Sequence, residues 1–370
     1  MAITLVTGFP GFIGRRLVAH LVERDPEARI MALVEARMLD RARRVAAGIA
    51  PNRIELRPGD IAAPRLGLED KDYARLRRDV RTVFHLAAIY DLGVPLEIAQ
   101  AVNVEGTGNV VDLCEAAPDL ERLAHMSTAY VAGLRTGVVY EHELVMGQQF
   151  KNHYEATKFQ AEVWVRERMR DIPTTVLRPA IVVGDSRTGE TDKFDGPYFI
   201  LRAIALAHRA RRPVAQFGRA DAAFNVVPVD YVVAAAAAAA GDPATLGETL
   251  HLVDPDPLST RELVGLLSRE YAGRDPRGRL PPRVIEEALR VARVREAFSG
   301  TPPESIAYLN HPVQYDARRA VRLLGPHGLA PPRFPDYVGA MVRFFREHED
   351  DAALVPASAR AAGAARRAER

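Results

Sequence analysis

The sequence predicts an α/β fold in which a doubly wound parallel sheet is followed by a smaller, mostly helical lobe. Three observations predict it. Short β-rich runs alternate with helical patterns through the first half of the 370 residues, glycines cluster directly after the first run, and the alternation breaks after about residue 184. Strands that alternate with helices form parallel sheets covered on both faces, which suits the continuous apolar runs of this chain.

Each predicted strand is a short apolar or β-branched run, and the predicted helices lie between these runs. Strands are expected at 3–7, 28–34, 53–60, 82–88, 122–130 and 174–184, with sheet-like segments at 225–233 and 247–254. Helical patterns lie near 12–23, 99–116, 153–170 and 198–211.

The order of these elements predicts two structural units and a tail. Residues 1–185 are expected to form a nucleotide-binding core to which 223–255 return. Residues 186–222 and 256–350 are expected to form a substrate-binding lobe, and 351–370 a disordered tail.

Composition and charge exclude several classes of function. The hydrophobic content of 48% and the charged content of 26% are those of a soluble globular protein, and a net charge of +2 with dispersed arginines disfavours nucleic-acid binding. The single cysteine, Cys114, excludes a disulfide framework, and no histidines stand at metal-ligand spacing. The longest apolar stretch, 232–241, is too short to span a bilayer, and no secretory signal is visible, so a cytoplasmic location is expected.

The glycine turn TGFPGFIG, residues 7–14, follows the first predicted strand and opens the first helix. In such a turn Gly8 permits the bend, Gly11 lets the backbone approach a pyrophosphate, and Gly14 brings the helix against the strand. The helix N-terminus then faces the negative charge. No Gly-Lys-Ser/Thr follows, which excludes the P-loop of mononucleotide kinases. The turn therefore predicts a Rossmann-type fold that binds the dinucleotide NAD(P)(H).

The end of the second predicted strand bears on which dinucleotide is bound. Glu35 stands there, and a carboxylate at this point holds the ribose hydroxyls of NAD and repels the 2′-phosphate of NADP. One of the arginines just beyond it could reach such a phosphate, although a solvated helix face explains them equally well: Arg37, Arg41, Arg43 and Arg44. Glu35 therefore favours NAD(H).

A second motif indicates catalytic chemistry. Tyr154 and Lys158 are four residues apart in NHYEATKFQAE, so they share one helical face. A phenol that donates a proton near neutral pH needs its pKa, ordinarily about 10, lowered, and a neighbouring ammonium favours the phenolate. The stretch MSTAY ends a predicted strand and offers Ser127 and Thr128 as hydroxyls that could orient a substrate carbonyl.

In this order the motifs resemble the extended short-chain dehydrogenase/reductases over roughly residues 1–255. TGFPGFIG is similar to that family's TGxxGxxG turn, YEATK to its YxxxK motif, and HMSTAYVAG to its strand that carries a catalytic Ser or Thr. The resemblance implies that Thr128, Tyr154 and Lys158 are catalytic, with Ser127 as the alternative to Thr128.

The resemblance also implies which residues bind the cofactor. Asp60 would contact adenine, HLAA at 85–88 would line the cofactor, Asn103 matches the family's structural asparagine, and LRPA at 177–180 would lead the chain past the nicotinamide. The implied cofactor-binding set, with no metal ligand in it, is Thr7, Gly8, Phe9, Pro10, Gly11, Phe12, Ile13, Gly14, Glu35, Arg37, Asp60, Ile61, Leu86, Ala87, Ala88, Asn103, Tyr154, Lys158, Arg178, Pro179, Ala180 and Val182.

Further stretches, among them RPAIVVGDSRTGE and NVVPVDYV, are most similar to the fatty acyl-CoA reductase and thioester reductase branch, the "male sterility" type. This resemblance implies hydride transfer from NAD(P)H to a carbonyl of a lipophilic acyl thioester, aldehyde or keto acid, carried on coenzyme A or a carrier protein. That branch usually has arginine where this chain has Glu35. A homodimer is common among its relatives. In the predicted substrate lobe Tyr308 or Tyr315 could contact an acyl chain, although helix packing explains these tyrosines equally well.

Two other classes of function stay open. A nucleotide-sugar epimerase or dehydratase would use bound NAD, which suits Glu35, but Ala129 and Tyr130 stand where dehydratases carry an acidic pair. A non-catalytic dinucleotide sensor has no need for Tyr154 and Lys158.

Overall fold

The computed structural model describes residues 2–90, 94–216, 219, 221–280, 284, 287, 290, 291 and 303–355. Within them, β-strands and α-helices follow in chain order as β1 Ile3–Thr7, α1 Phe12–Arg24, β2 Ile30–Val34, α2 Leu39–Ile49, β3 Ile54–Pro58, α3 Asp70–Asp79, β4 Val80–His85, α4 Leu96–Ala99, α5 Gly106–Ala116, β5 Arg122–Met126, β6 Gly137–Val139, α6 His153–Arg168, β7 Thr174–Pro179, β8 Ile181–Val183, α7 Pro197–Arg209, β9 Val226–Pro228, α8 Val229–Gly241, β10 Thr249–Leu252, α9 Thr260–Ala272, β11 Val313–Tyr315, α10 Arg318–Leu324 and α11 Phe334–His348. A π-helical segment, Gln100–Glu105, joins α4 to α5.

The main sheet confirms the predicted doubly wound architecture. Seven parallel strands lie in the order β10-β7-β5-β4-β1-β2-β3, with β1 paired to both β2 and β4. The chain winds outward in opposite directions from the β1–β4 pair, so a crevice opens at the carboxyl ends of these two strands. Thr7 and His85 are register partners there, which brings the glycine turn and the segment after β4 to the same edge of the sheet.

Helices cover both faces of the sheet and form a second core beyond it. One face packs on α1, α2 and α8 and the other on α3 and α5, while a separate apolar cluster joins α7, α9 and α11. The alanine-rich α8 packs directly on α1, because small side chains let two helices approach closely. Within the described part of the chain, no helix combines the length and apolarity needed to cross a bilayer.

The segment 225–233, predicted as sheet-like, is mostly helical. Its strand β9 is only three residues long and pairs with β8 in a separate two-stranded sheet rather than with the main one. Pro228 ends that strand, and α8 begins directly after it at Val229. Alanine is the strongest helix former, so the run of alanines that follows is consistent with a helix.

The structure also differs from the sequence expectation near the chain's end. Strand β11 pairs with β6, and the helix after it packs through Ala320 and Leu324 on the core of the main sheet, although both lie in the range predicted as substrate lobe. Residues 351–355 form a short turn in which the Leu354 carbonyl accepts a hydrogen bond from the Phe194 amide, 2.8 Å away. The rest of the predicted tail, 356–370, lies outside the described residues.

Candidate active site

The turn after β1 is so closely packed that its three glycine positions have no room for a side chain. Gly8 has a φ of +87°, and a Cβ there would lie 2.9 Å from the Ala87 backbone nitrogen. A Cβ at Gly11 would lie 2.8 Å, and one at Gly14 2.6 Å, from the Gly8 carbonyl oxygen. Helix α1 starts at Phe12, directly after Gly11, without a side-chain cap and without an acidic residue in its first turn. This cradle at a helix N-terminus fits the pyrophosphate of a dinucleotide.

The turn opens into a cavity of about 1280 Å³ that extends from Glu35 past Tyr154 to helix α7. The cavity brings together most of the residues predicted for the site. They are Thr7, Gly8, Phe9, Pro10, Gly11, Phe12, Ile13, Gly14, Glu35, Arg37, Asp60, Ile61, Leu86, Ala87, Ala88, Ser127, Thr128, Tyr154, Lys158, Pro179, Ala180 and Val182.

Two polar residues that the resemblance placed at the cofactor are buried behind the cavity instead. His85 lies between the hydroxyls of Thr7 and Thr107, with ring nitrogens 2.8 and 3.0 Å from them, and burial lowers its pKa to about 3. Asn103 accepts a hydrogen bond from the Ile89 amide at 2.8 Å. Asn103 thus holds the backbone that follows β4, and neither His85 nor Asn103 lines the cavity.

Arg178, also predicted at the cofactor, is 1% exposed and faces away from the cavity. Its guanidinium donates to the Glu162 carboxylate at 2.7 and 3.0 Å. A buried guanidinium needs a carboxylate and further acceptors, and β7 carries Arg178 toward them rather than toward the nicotinamide side.

The candidate catalytic groups meet where β5 ends beside α6. Tyr154 stands in the first turn of α6, whose N-terminus is capped by the Asn152 side chain. The Thr128 hydroxyl stands beside the Tyr154 phenol and lies 3.4 Å from the Pro179 carbonyl oxygen. One turn further along the helix, Lys158 Nζ donates to the Met126 carbonyl oxygen at 2.8 Å.

Burial sets the protonation of this pair. Burial raises the pKa of the Tyr154 phenol, and the neighbouring Thr128 hydroxyl only partly opposes the rise. Burial lowers the pKa of Lys158 to about 8, against the opposite effect of the Glu162 carboxylate. The sequence argument expected a lowered pKa for the tyrosine, and the structure gives the opposite direction because desolvation dominates. A neutral phenol is the form that donates a proton.

Three tyrosines line the cavity that were not among the predicted catalytic or cofactor-binding residues, Tyr90, Tyr130 and Tyr308. The Tyr90 ring lies edge-on to Tyr154 with centroids 5.0 Å apart, and Tyr130 lies edge-on to Tyr308 at the same separation. Tyr130 is part of MSTAY and Tyr90 follows HLAA, so their position after strand ends was a signal available in the sequence. Tyr315, the other predicted contact for an acyl chain, is buried in the core of the main sheet.

Beyond Tyr154 the cavity continues as an apolar branch, here called the substrate arm. Its walls come mainly from one face of α7 and from the segment after it, with Phe199, Ile200, Ala203, Leu206, Ala207, Pro213, Val214, Phe224 and Leu309. Helical spacing places the α7 residues on a single face.

The loop 185–196, between β8 and α7, is joined to α1 and α2 by ion pairs. Arg15 Nη2 lies 2.5 Å from an Asp192 carboxylate oxygen and 2.8 Å from one of Glu190. Arg41 Nη2 lies 3.3 Å from the other oxygen of Asp192. The loop also lines the cavity, so it spans from the glycine-turn helix to the substrate arm.

The described residues contain no group of three or more His, Cys, Asp or Glu side chains arranged to hold a metal ion.

The chain is similar to several reductases. It is 28% identical over 218 residues to the fatty acyl-CoA reductase wat of Drosophila melanogaster, covering 51% of this chain and 41% of that protein. It is 28% identical over 265 residues to the L-2-aminoadipate reductase large subunit of Eremothecium gossypii, covering 63% of this chain and 18% of that protein. The chain thus spans less than half the length of these relatives.

Solved structures of related fold include a reductase domain and an epimerase. The terminal R domain of the myxalamid PKS-NRPS pathway superposes with a TM-score of 0.80 at 26% identity, covering 95% of this chain and 92% of that one. UDP-glucuronic acid 4-epimerase from Bacillus cereus, in complex with NAD, shares the fold with a TM-score of 0.65 at 19% identity, covering 96% and 100%. Residues 6–236, more than half of the chain, match the family model described as "Male sterility protein". The chain therefore belongs to the male sterility protein family, the fatty acyl-CoA reductase-like branch of the extended short-chain dehydrogenase/reductases, which are NAD(P)-dependent oxidoreductases.

Proposed function

We propose that this chain reduces the carbonyl of a lipophilic acyl thioester, aldehyde or keto acid with NAD(P)H, a thioester being carried on coenzyme A or a carrier protein. One observation carries the proposal. The Thr128–Tyr154–Lys158 group stands in a single cavity between the glycine turn and the apolar substrate arm. The names of its relatives, a fatty acyl-CoA reductase and a terminal reductase domain among them, support it.

The nicotinamide cofactor, when bound, supplies the hydride. Thr128 and Tyr154 present two adjacent hydroxyls that can both donate to a substrate carbonyl oxygen as negative charge develops on it. Tyr154, neutral before the reaction, gives its proton to that oxygen, and the Lys158 ammonium stabilises the phenolate left behind. A thioester becomes a hemithioacetal by this step, and loss of the free thiol leaves an aldehyde.

The substrate arm supports a lipophilic substrate. The side chains that α7 contributes to it are apolar, although Arg212 and Lys193 line the same cavity. An acyl chain that moves from water onto an apolar surface gains about 25 cal/mol for each Å² that it buries. A sugar ring would instead leave its hydroxyls without hydrogen-bond partners along this face of α7, at a cost of roughly 1–3 kcal/mol for each group.

An epimerase that acts on a nucleotide sugar is the second candidate. Glu35 lines the cavity at the end of β2, where a carboxylate suits the ribose of tightly bound NAD.

The purified protein tests these functions directly. The absorbance of NADH and of NADPH is followed separately with a long-chain acyl-CoA, its matching aldehyde, a keto acid and UDP-glucose. Oxidation with the acyl-CoA or aldehyde is expected, and Tyr154→Phe should lower kcat by roughly 10²–10⁴-fold if the phenol is the general acid. Tyr140→Phe is the matched control, since Tyr140 does not line the cavity. Conversion of the UDP-sugar without net oxidation would support the epimerase instead, and a few-fold effect of Tyr154→Phe would contradict the role of the phenol.

A cytoplasmic location and a homodimer stay predictions. Helices α5 and α6 pack together, and Trp164 of α6 is 48% exposed while its ring lies against Gly108 of α5. This exposed apolar surface supports a dimer through the two helices. Light scattering on the purified protein tests it, with Trp164→Glu expected to yield monomers and an unchanged mass of that variant counting against the interface.

A further inference from the structure

Three consecutive residues at the end of β5, Met126 to Thr128, contact helix α6. The Met126 carbonyl and the Ser127 hydroxyl are hydrogen-bonded to Lys158 and Glu162 of α6, and the next residue, Thr128, stands beside Tyr154. Tyr154, Lys158 and Glu162 follow one another along α6 at intervals of one helical turn. Side chains at i, i+4 and i+8 share one helical face. The two candidate catalytic side chains of α6 therefore belong to a row of three, and Glu162 is its third member.

Glu162 is fully buried and makes several strong contacts. Ser127 Oγ donates to its Oε2 at 2.5 Å. Arg178 donates to both carboxylate oxygens, with its Nη2 2.7 Å from Oε1, and Arg166 Nε lies 2.9 Å from the same oxygen. Although burial raises the pKa of Glu162, the two guanidiniums lower it below its ordinary value, so the group is an anion in the core.

Ser127 and Thr128 have opposite surroundings because successive side chains of an extended chain point in opposite directions. The Thr128 hydroxyl meets Tyr154, whereas the Ser127 hydroxyl meets Glu162 behind the strand end. The hydrogen bond from Ser127 to Glu162 therefore fixes the orientation of the backbone at the end of β5. In this orientation the side chain of Thr128 points into the cavity. The same hydrogen bond also removes Ser127 from competition for the substrate.

We propose that Ser127 and Glu162, held by Arg178, are positioning residues for proton transfer. Ser127 aims Thr128, and Glu162 anchors Ser127 and supplies the buried negative charge that keeps Lys158 an ammonium ion. This inference rests on the proposed function for its kinetic consequences, but the charge relation between Glu162 and Lys158 exists with or without a substrate.

The other charged or titratable groups around Lys158 do not supply that negative charge. His85 of β4 and His125 of β5 both face it, and burial lowers the pKa of each, to about 3 for His85, so both are neutral near pH 7. Tyr154, on its own helix, is neutral as well. The guanidiniums of Arg178 on β7 and of Arg166 are both ion-paired with Glu162. Replacing Glu162 by a neutral group would leave these guanidiniums uncompensated near Lys158.

Two substitutions separate charge from hydrogen bonding. Glu162→Gln keeps an acceptor for Ser127 but removes the charge, whereas Ser127→Ala keeps the charge but removes the hydrogen bond. Glu167→Gln is the matched control, because Glu167 makes the same chemical change on the same helix with a side chain that is 58% exposed. Thermal melting and the fluorescence of bound NADPH show whether each variant is folded.

The decisive measurement is the titration of Lys158 by NMR. The chain contains only four lysines, Lys71, Lys151, Lys158 and Lys193, so carbon-13-labelled lysine gives a spectrum that Lys158→Arg assigns. Lys158 should titrate near pH 8 in the parent protein and at a lower pH in Glu162→Gln, but unchanged in Ser127→Ala and Glu167→Gln. A folded Glu162→Gln protein with an unshifted Lys158 would overturn the charge role of Glu162.

Kinetics test the aiming role. Ser127→Ala should lower kcat by roughly 10–100-fold, by analogy with the loss of a hydrogen-bond partner that orients a metal ligand. KM should change little, since Ser127 does not hold the substrate. An unchanged kcat would overturn this role, and a loss as large as that of Thr128→Ala, with KM also raised, would make Ser127 the substrate's own hydroxyl donor. If the parent protein oxidises no cofactor, the proposed function fails, while the Lys158 titration still decides the charge relation.

Discussion

Glu35 and Arg37 both line the cavity just after β2 and form an ion pair, with 2.6 Å between the carboxylate Oε1 and the guanidinium Nε. The side chains are 47% and 74% exposed, so water weakens the pair. The carboxylate suits the ribose hydroxyls of NAD, and the guanidinium suits the 2′-phosphate of NADP. One side chain of the pair thus favours NAD and the other favours NADP.

Glu35→Gln should shift cofactor preference toward NADPH. The substitution removes the charge that repels a 2′-phosphate and frees Arg37 to contact it. We expect the ratio of kcat/KM for NADPH to that for NADH to rise by roughly fivefold, the size of an exposed charge contact worth about 1 kcal/mol. Glu27→Gln, which changes an exposed residue away from the cavity, is the control. An unchanged ratio would show that Glu35 does not decide between the cofactors.

Gly14→Ala should impair dinucleotide binding. The new Cβ would meet the Gly8 carbonyl oxygen at 2.6 Å, a backbone atom that can give way only if the turn itself shifts. We expect at least a tenfold rise in the Kd for NADPH, about 1.4 kcal/mol, measured by fluorescence titration. Gly48→Ala is the matched control, because nothing lies within 4 Å of its Cβ on helix α2, and it should stabilise the protein by up to about 1 kcal/mol. Equal affinities in the two variants would contradict the role of the turn.

Activity should fall as the pH rises through about 8. Burial lowers the pKa of Lys158 to about 8, so the side chain is an ammonium below that pH and a neutral amine above it. Only the ammonium stabilises the phenolate of Tyr154, which gives kcat/KM a basic limb at that pH. Lys158→Arg keeps a positive charge throughout and should abolish the limb, whatever the absolute rate. A limb that persists in that variant belongs to another group.

Ala203→Phe should change chain-length preference. Ala203 lies on the wall of the substrate arm, and a phenyl ring there would fill volume that an acyl chain occupies. Long-chain aldehydes should lose roughly tenfold or more in kcat/KM relative to short ones, since each buried methylene is worth about 0.8 kcal/mol. The exposed Ala244→Phe serves as control. Equal losses for short and long substrates would place the acyl chain elsewhere.

The sequence predicted the fold class well because the alternation of strands and helices is a local pattern. The glycine turn was predicted equally well, since the positive φ of Gly8 and the short distance between Gly14 and the Gly8 carbonyl oxygen both require glycine. The segment 225–233 was predicted as sheet-like but is mostly helical, and this error has a physical reason as well. Val226–Pro228 is a genuine strand, and apolar residues continue into α8 because that helix is buried, so periodicity could not mark the boundary between them.

The site was predicted less completely. Asn103 and Arg178 stand in recognisable motifs, yet their side chains serve contacts with residues remote in sequence, Ile89 and Glu162. Motif position tells which strand end a residue occupies but not which way its side chain turns. The roles given to Thr128, Tyr154 and Lys158 stay predictions until the variants are measured.

The ion pairs of the loop 185–196 also govern how the chain can be assembled. Arg15 and Asp192 are 177 positions apart, so the first helix gains these partners only after more than half of the polypeptide has been made. Closing so long a loop is entropically costly and slow, which makes these contacts late ones in folding. A fragment that ends before residue 185 would retain the strands β1–β8 but leave Arg15 and Arg16 without their carboxylates. Such a fragment would also lack α8, which packs on α1, and β10, an edge strand of the main sheet, so it would not contain the whole sheet.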